Sequence, residues 1–390
     1  MRTAEAQGRA NMILLIFDTS TKRDYYRDVH NIAALPVGAT IRYDYRTNYF
    51  SEAALAAFKD GKASGASVLF IYAQTKSYHK GGADPKGAIE PDNGLWIAVR
   101  TGVLRRARLI ADRYYLDLEM REYPKPDKTT LASILEDAIS RKEVPFEKWI
   151  ALSARDAEYS ALKAGDPAVN WAGVVDLLGS FPSQFAGDTF WRVANVSKGS
   201  SREPIAAKLE DDPSTPAEAK GLVAFFPASE LDLLGLEIQS RMPGADEEPN
   251  GAEPATPRTV RFEASGSSLS GFHAKELDIR RFATEWVDAE VAGSDRVDAQ
   301  VCDLKLKTVP ESGGYPIGPE LTLKFLVSKQ GWRSYWSILT AIPGAIALVV
   351  GAALVKDNTL AGGIVLAVGT LLGIVAYYLW TGRVRLPGNK

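Results

Sequence analysis

Arginine and tyrosine interleave in two stretches of this chain. Arg42, Tyr43, Tyr45, Arg46 and Tyr49 fall in one, and Arg100, Arg105, Arg106, Arg108 and Arg113 lead into Tyr114 and Tyr115 in the other. A guanidinium fork binds phosphate or carboxylate oxygens in pairs, and a phenol ring stacks on a flat base. If the two stretches are neighbouring strands, Arg42, Tyr43, Tyr45, Arg46, Arg105, Arg106 and Arg108 form a surface for a nucleotide, a nucleic-acid strand or a protein ligand. The competing reading is a solvated β face on which Asp44, Asp112, Asp117 and Glu119 neutralise the arginines. The interleaving of acids throughout favours that second reading.

Catalytic signatures are sparse. Asp18 closes an apolar run, Met12–Phe17, as the first acid of phosphate- and metal-handling loops does. A haloacid-dehalogenase loop needs a second Asp where Ser20 stands, and a metal-dependent adhesion motif needs a hydroxyl where Lys22 stands. A turn held by Asx and hydroxyl hydrogen bonds fits better. Gly61-Lys62-Ala63-Ser64 lacks the GxxxxGK[ST] spacing of a phosphate loop, and His79-Lys80-Gly81-Gly82 reads as a loop. HExxH, GxGxxG, GxSxG and CxxC do not occur. The single cysteine, Cys302, excludes an internal disulfide framework and reads as a core residue, and there are three histidines in all. No catalytic residue, metal-ligand set or cofactor is assigned. With 46 basic and 48 acidic residues the net charge is −2, which provides no global attraction to nucleic acid.

The elements that must position these residues belong to a mainly β fold with helices, an α+β chain of about two or three domains by length. Residues 1–124 read as a β-rich barrel or sandwich. Met12–Phe17 suits a strand buried on both faces, and Thr40–Arg46 and Tyr115–Tyr123 alternate apolar with polar. Ser67–Tyr72 and Leu95–Val99 add strands, and Ser51 caps a short helix ending at Lys59. After Pro124-Lys125-Pro126, residues 125–184 read as a helical connector through Lys128–Arg141, Phe146–Leu152 and Val169–Leu178, which could pack on the first domain. Residues 185–330 return to strand patterning over Phe190–Val196, Gly221–Phe226, Leu233–Gln239, Thr259–Ala264, Glu276–Ile279, Val297–Lys307 and Leu321–Val327. The expected form is a second β-sandwich, interrupted by a polar linker at 211–218 and an acidic, Pro-rich loop at 243–257.

Residues 334–381 form the clearest element. Ser337–Val355 is nineteen residues without a charge, and Thr359–Thr381 is twenty-three. At about 1.5 Å per residue each spans a hydrocarbon layer of about 30 Å, so the two form an antiparallel transmembrane hairpin whose partner is the lipid bilayer. Trp332, Tyr335 and Trp336 precede it, and Tyr377, Tyr378 and Trp380 close it, as interfacial anchors. Lys329 and Arg333 before the hairpin, and Arg383, Arg385 and Lys390 in the basic tail 382–390, place both termini in the cytoplasm, by the rule that positive flanks stay inside. The expected location is the cell inner membrane. Residues 334–390 carry +3 and the preceding portion −5. No ionisable side chain lies inside the spans, which argues against a transporter. Small residues at four-residue spacing, Ala347 with Gly351, Gly363 with Ala367 and Gly369 with Gly373, let helices approach closely, within the hairpin or between copies of the chain. Pro343 is placed to kink the first span.

This order of parts, the hairpin Ser337–Thr381 beside a β-rich body, resembles bacterial antiphage membrane effectors. The resemblance implies a cytosolic sensor that acts through an oligomerising pair of transmembrane helices. Two other readings stand beside it: a non-catalytic membrane scaffold or complex subunit, and an enzyme with a dispersed site.

Overall fold

A computed structural model of the chain describes residues 12–19, 23–75, 91–140, 148–180, 189–198, 201–209, 224–229, 233–241, 258–265, 269–272, 276–279, 282–291, 299–309, 318–328, 331–356 and 358–381. The 211–218 linker, the acidic loop 243–257, residues 79–82 and the basic tail 382–390 lie outside the described residues. So do the side chains of Trp332, Tyr335, Trp336 and Trp380.

The first sheet comprises β1 (Ile13–Thr19), β2 (Thr40–Arg46), β3 (Ser67–Thr75), β4 (Pro91–Ile110), β5 (Arg113–Met120) and β6 (Ile150–Ser153), in the order β2-β5-β4-β3-β1-β6. Only β1 and β3 run parallel; the other pairs are antiparallel. The helices are α1 (Arg23–Ala34), α2 (Glu52–Lys59), α3 (Lys128–Ser140), α4 (Asp156–Leu162) and α5 (Pro167–Gly179). Successive side chains of a strand point to opposite faces, and β1 shows why its run is apolar throughout. Leu14 and Ile16 share a buried cluster with Val29 and Ile32 of α1 and Ala54 and Phe58 of α2. Ile13, Leu15 and Phe17 share another with Leu131, Ile134 and Leu135 of α3 and Tyr159 and Leu162 of α4. Helices therefore cover both faces of β1.

Two expectations are corrected here. The sheet is open, with β2 and β6 at its edges, so no barrel closes. The charged side chains on one face of β2 and the four-residue length of β6 suit edge strands. Residues Ile150–Ser153, expected to be helical, are a fully buried strand on β1. Their short apolar run gives no period to read, and the edge of β1 decides their conformation. Helix α1 was not foreseen, because its polar sequence, RDYYRDVHNIAA, buries only a narrow apolar stripe. Helix α2 starts as expected: Ser51 Oγ accepts a hydrogen bond from the Ala54 amide at 3.1 Å.

The second half contains β7 (Phe190–Lys198), β8 (Glu203–Pro204), β9 (Lys208–Leu209), β10 (Ala224–Ser229), β11 (Leu233–Arg241), β12 (Arg258–Ser265), β13 (Leu269–Phe272), β14 (Glu276–Ile279), β15 (Phe282–Val291), β16 (Gln300–Val309) and β17 (Glu320–Ser328). They make a six-stranded sheet, β14-β12-β16-β17-β10-β9, and a five-stranded sheet, β13-β15-β11-β7-β8. Leu304, Leu306, Leu323 and Phe325 of the former join Val193, Leu236, Ile238 and Val287 of the latter in one buried cluster. Trp191 Nε1 on β7 donates across it to Thr308 Oγ1 on β16 at 3.0 Å. Strand β15 escaped the sequence reading because Glu285, Asp288 and Glu290 break up its apolar residues, yet Val287, Ala289 and Val291 are buried at period two. Cys302 is buried on β16.

The outer face of the five-stranded sheet meets the first unit. Phe190 stacks on His30 of α1 at 4.4 Å between ring centroids, and Arg241 of β11 forms a two-pronged pair with Asp176 of α5 at 3.0 and 2.7 Å.

The last described elements are α6 (Gly331–Leu354) and α7 (Thr359–Thr381), packed antiparallel. Both are long and apolar enough to cross a membrane, and only 17% of each apolar window is buried. Pro343 lies inside α6.

Candidate functional site

The two arginine–tyrosine stretches do become neighbours. β2 pairs with β5, and β5 with β4, so Arg42, Arg46, Arg105, Arg106 and Arg108 lie on three adjacent strands. Strand alternation then separates the residue types on β2. Arg42, Asp44 and Arg46 are exposed, whereas Tyr43 is buried and Tyr45 packs against the same core.

The arginines meet acids. Arg42 Nε donates to Asp117 Oδ1 at 2.5 Å, and this bond raises the arginine's pKa. Arg113 pairs with Asp44, and Arg46 lies 3.8 Å from Asp112. A β-bulge at Arg105 accompanies its ion pair with Glu119, a buried carboxylate that also takes Arg121 at 2.8 Å. Arg106 stands opposite Asp117 in register, and the exposed Arg108 stands opposite Tyr115. A cleft of about 500 Å³ beside Arg42 includes Lys324, which is held by Asp303 at 3.0 Å. Arg27 of α1 lies 3.9 Å from Glu320 in the same region.

Asp18, the penultimate residue of β1, lies in a buried site, 3.4 Å from the Tyr43 hydroxyl that donates to it. Burial first, and the charge of Asp28 second, hold its carboxyl well above the usual carboxylate range. The same burial pushes the Tyr43 and Tyr45 phenols upward. Among the described residues no group of three or more His, Cys, Asp or Glu is placed to hold a metal ion.

A second arginine–aromatic group was missed as a unit by the sequence reading. Arg100 of β4 is fully buried, and its guanidinium carbon lies 3.6 Å from the centroid of the Tyr123 ring. Arg192 of β7, 6% exposed, lies 5.0 Å from that centroid and 4.5 Å from that of Trp171 on α5. Arg100 Nε donates to the Arg121 carbonyl at 2.5 Å, and its Nη1 has no partner. Arg192 spends Nε and Nη2 on one neutral oxygen, Gln239 Oε1, at 3.0 and 2.7 Å. Among the described residues neither guanidinium forms an ion pair with a carboxylate. Both line a cleft of about 390 Å³ between the first unit and the outer face of β7 and β11. Burial lowers the pKa of Arg100, the Tyr123 phenol and more weakly the Glu122 carboxylate oppose that shift, and Arg192 adds to it. An arginine retains its proton at such a site, so the cleft floor holds two cations that the aromatic faces and Glu122 offset only in part. The available sequence signal was Arg192 itself, a charge inside the apolar run Phe190-Trp191-Arg192-Val193.

In the hairpin, small residues recur every seven positions on both helices: Ser337, Gly344 and Gly351 on α6, and Gly362, Gly369 and Ala376 on α7, all buried. A Cβ at Gly351 would lie 2.8 Å from the Leu366 nitrogen, one at Gly369 would lie 2.9 Å from the Leu348 nitrogen, and one at Gly362 would lie 2.4 Å from the Val355 nitrogen. Gly363 and Gly373 would meet nothing within 4 Å. Ala347 is half-buried and Ala367 exposed. Of the four-residue pairs, therefore, Gly351 and Gly369 face the partner helix, while Gly363, Ala367 and Gly373 face outward.

Compared with protein-family models and with curated proteins, the sequence matches none.

Proposed function

We propose that this chain is a membrane-anchored sensor or effector, whose β-rich body binds a ligand or partner and whose hairpin lies in the cell inner membrane with both termini in the cytoplasm. The observation that carries the reading is the outer surface of the hairpin. Ile342, Val349, Leu360 and Leu371 are 57–77% exposed, although each is a large apolar side chain. In water such a surface is strongly unfavourable, at about 25 cal/mol for each Å² left wet. In lipid it is matched by its surroundings, and a helix satisfies most of its backbone polar groups internally. The basic residues flanking the hairpin, against a turn where Asp357 offsets Lys356, support the cytoplasmic orientation.

Within the body we read residues 185–330 as a β-sandwich, supported by the two facing sheets and the Trp191–Thr308 bond between them. The outward small residues Gly363, Ala367 and Gly373 leave a face against which a second copy can pack.

The test is fractionation of cells that express the full chain. It is expected to pellet with membranes, to resist carbonate extraction, and to be released by detergent. In spheroplasts, external protease is expected to leave the body intact. Recovery in the soluble fraction, or digestion of the body from outside, would overturn this reading.

A further inference from the structure

The cleft between the two units contains more charge than its surroundings settle. Arg100 is fully buried and keeps one guanidinium nitrogen without a partner. A buried donor left unmade is costly, and a buried cation more so, unless an acceptor arrives. Arg192 has a neutral amide oxygen where an anion would serve it better. The same cleft is lined by Glu122, whose charge acts on Arg100 without a direct ion pair, and by Glu237. Among the described residues neither carboxylate forms an ion pair, and Glu237 Oε1 accepts from the Gln239 amide at 2.7 Å. Asp166 also lines the cleft, but it is occupied in capping α5 through the amides of Ala168 and Val169.

This arrangement discriminates among ligand charges. A polyanion would bring its excess charge against Glu122, Glu237 and Asp166. A simple cation would meet Arg100 and Arg192. A small molecule bearing one charge of each sign satisfies both ends. The volume, about 390 Å³, lies in the range of small-molecule sites and holds a free amino acid, but not a folded partner.

We propose that the cleft binds a small zwitterion, a free α-amino acid or a close analogue, with its carboxylate on Arg192, where the buried charge of Arg100 beneath also attracts it, and its ammonium on Glu122 and Glu237. Arg100 and Glu122 belong to the first unit, and Arg192 and Glu237 to the five-stranded sheet, so the ligand bridges the two. This inference deepens the sensor reading by naming the class of signal, and it rests on the body being a ligand-binding unit.

The experiment uses the full chain purified in detergent. Thermal unfolding and titration calorimetry are run against the standard L-amino acids, their carboxamides, their N-acetyl derivatives and sodium phosphate. At least one free amino acid is expected to raise the unfolding midpoint saturably, while its carboxamide and N-acetyl forms bind about tenfold or more weakly, as loss of one charged hydrogen-bonding end predicts. Arg192→Gln and Glu122→Gln should each weaken that amino acid by a similar factor. Each variant's ligand-induced shift is read against its own ligand-free midpoint, which keeps the test independent of any folding defect in an Arg100 or Glu122 variant. The assignment is overturned if no free amino acid shifts the midpoint, if phosphate or the N-acetyl acid binds as well as the free amino acid, or if Glu122→Gln binds like the unaltered protein. Membrane fractionation reads the anchoring separately, so failure of either reading shows without the other.

Discussion

The hairpin seam predicts that two glycines four residues apart respond oppositely to the same substitution. Alanine in place of glycine inside a helix is favoured by about 1 kcal/mol through backbone entropy. That term is shared by Gly369→Ala and Gly373→Ala. The packing term is not shared. A Cβ at Gly369 would sit 2.9 Å from the Leu348 nitrogen and 3.0 Å from the Gly344 carbonyl oxygen, where ordinary contact begins at 3.4 Å. Both obstacles are backbone, so the helices must separate, and overpacking of this kind costs about 1–3 kcal/mol. At Gly373 nothing lies within 4 Å. Gly373→Ala should therefore stabilise the hairpin by up to about 1 kcal/mol, and Gly369→Ala should leave it unchanged or destabilise it by up to about 2 kcal/mol. The assay places spin labels at Ile338 and Val375, which are exposed on opposite helices. In a Cys302→Ser background, loss of the short inter-label distance is followed as sodium dodecyl sulfate is added to micelles of a mild detergent. Equal responses from the two variants, or a weaker hairpin from Gly373→Ala, would refute the assignment of faces.

Further outcomes follow from the body. Glu119 is a buried carboxylate shared by the partly exposed Arg105 and Arg121, so Glu119→Ala should lower stability by about 1.5–3 kcal/mol in chemical denaturation, the range for a hydrogen bond to a charged group. Loss of no more than a surface pair's worth, about 1 kcal/mol or less, would show that Arg105 is held in another way. Asp18 has a native pKa raised by burial and by Asp28. The folded chain thus binds that proton more tightly than the unfolded chain, and the associated stability is complete below the ordinary carboxylate pKa and is lost as pH rises through the native value. Asp18→Asn should accordingly melt with the unaltered protein in acid and above it in mild alkali; a constant difference across pH would contradict this assignment.

Much of the architecture was legible because local pattern and tertiary role agreed. The uncharged runs Ser337–Val355 and Thr359–Thr381 announced two long helices, Met12–Phe17 announced a strand covered on both faces, and Ser51 announced its helix. In each case a single segment carries the physical cause, whether length, continuous apolarity or a capping hydroxyl. Alternation within each strand was readable for Arg42, Asp117, Arg105 and Glu119, but that their strands are neighbours was only a condition in the sequence, since β2 and β5 pair residues some 75 positions apart.

Other decisions belonged to the assembled molecule. That β1–β6 form an open sheet depends on which edges find partners, and four residues at Ile150–Ser153 become a strand because β1 offers them one. The four-residue glycine spacing was visible, but an antiparallel pair in contact along its length selects seven-residue spacing, and the seam therefore runs through Gly344, Gly351, Gly362 and Gly369. Arg100 and Arg192 stand far apart in the chain, and although Arg192 interrupts an apolar run, nothing local pairs it with Arg100. Only the docking of β7 against Tyr123 and α5 buries both without a direct ion pair, because burial and unmet charge are properties of the space between elements.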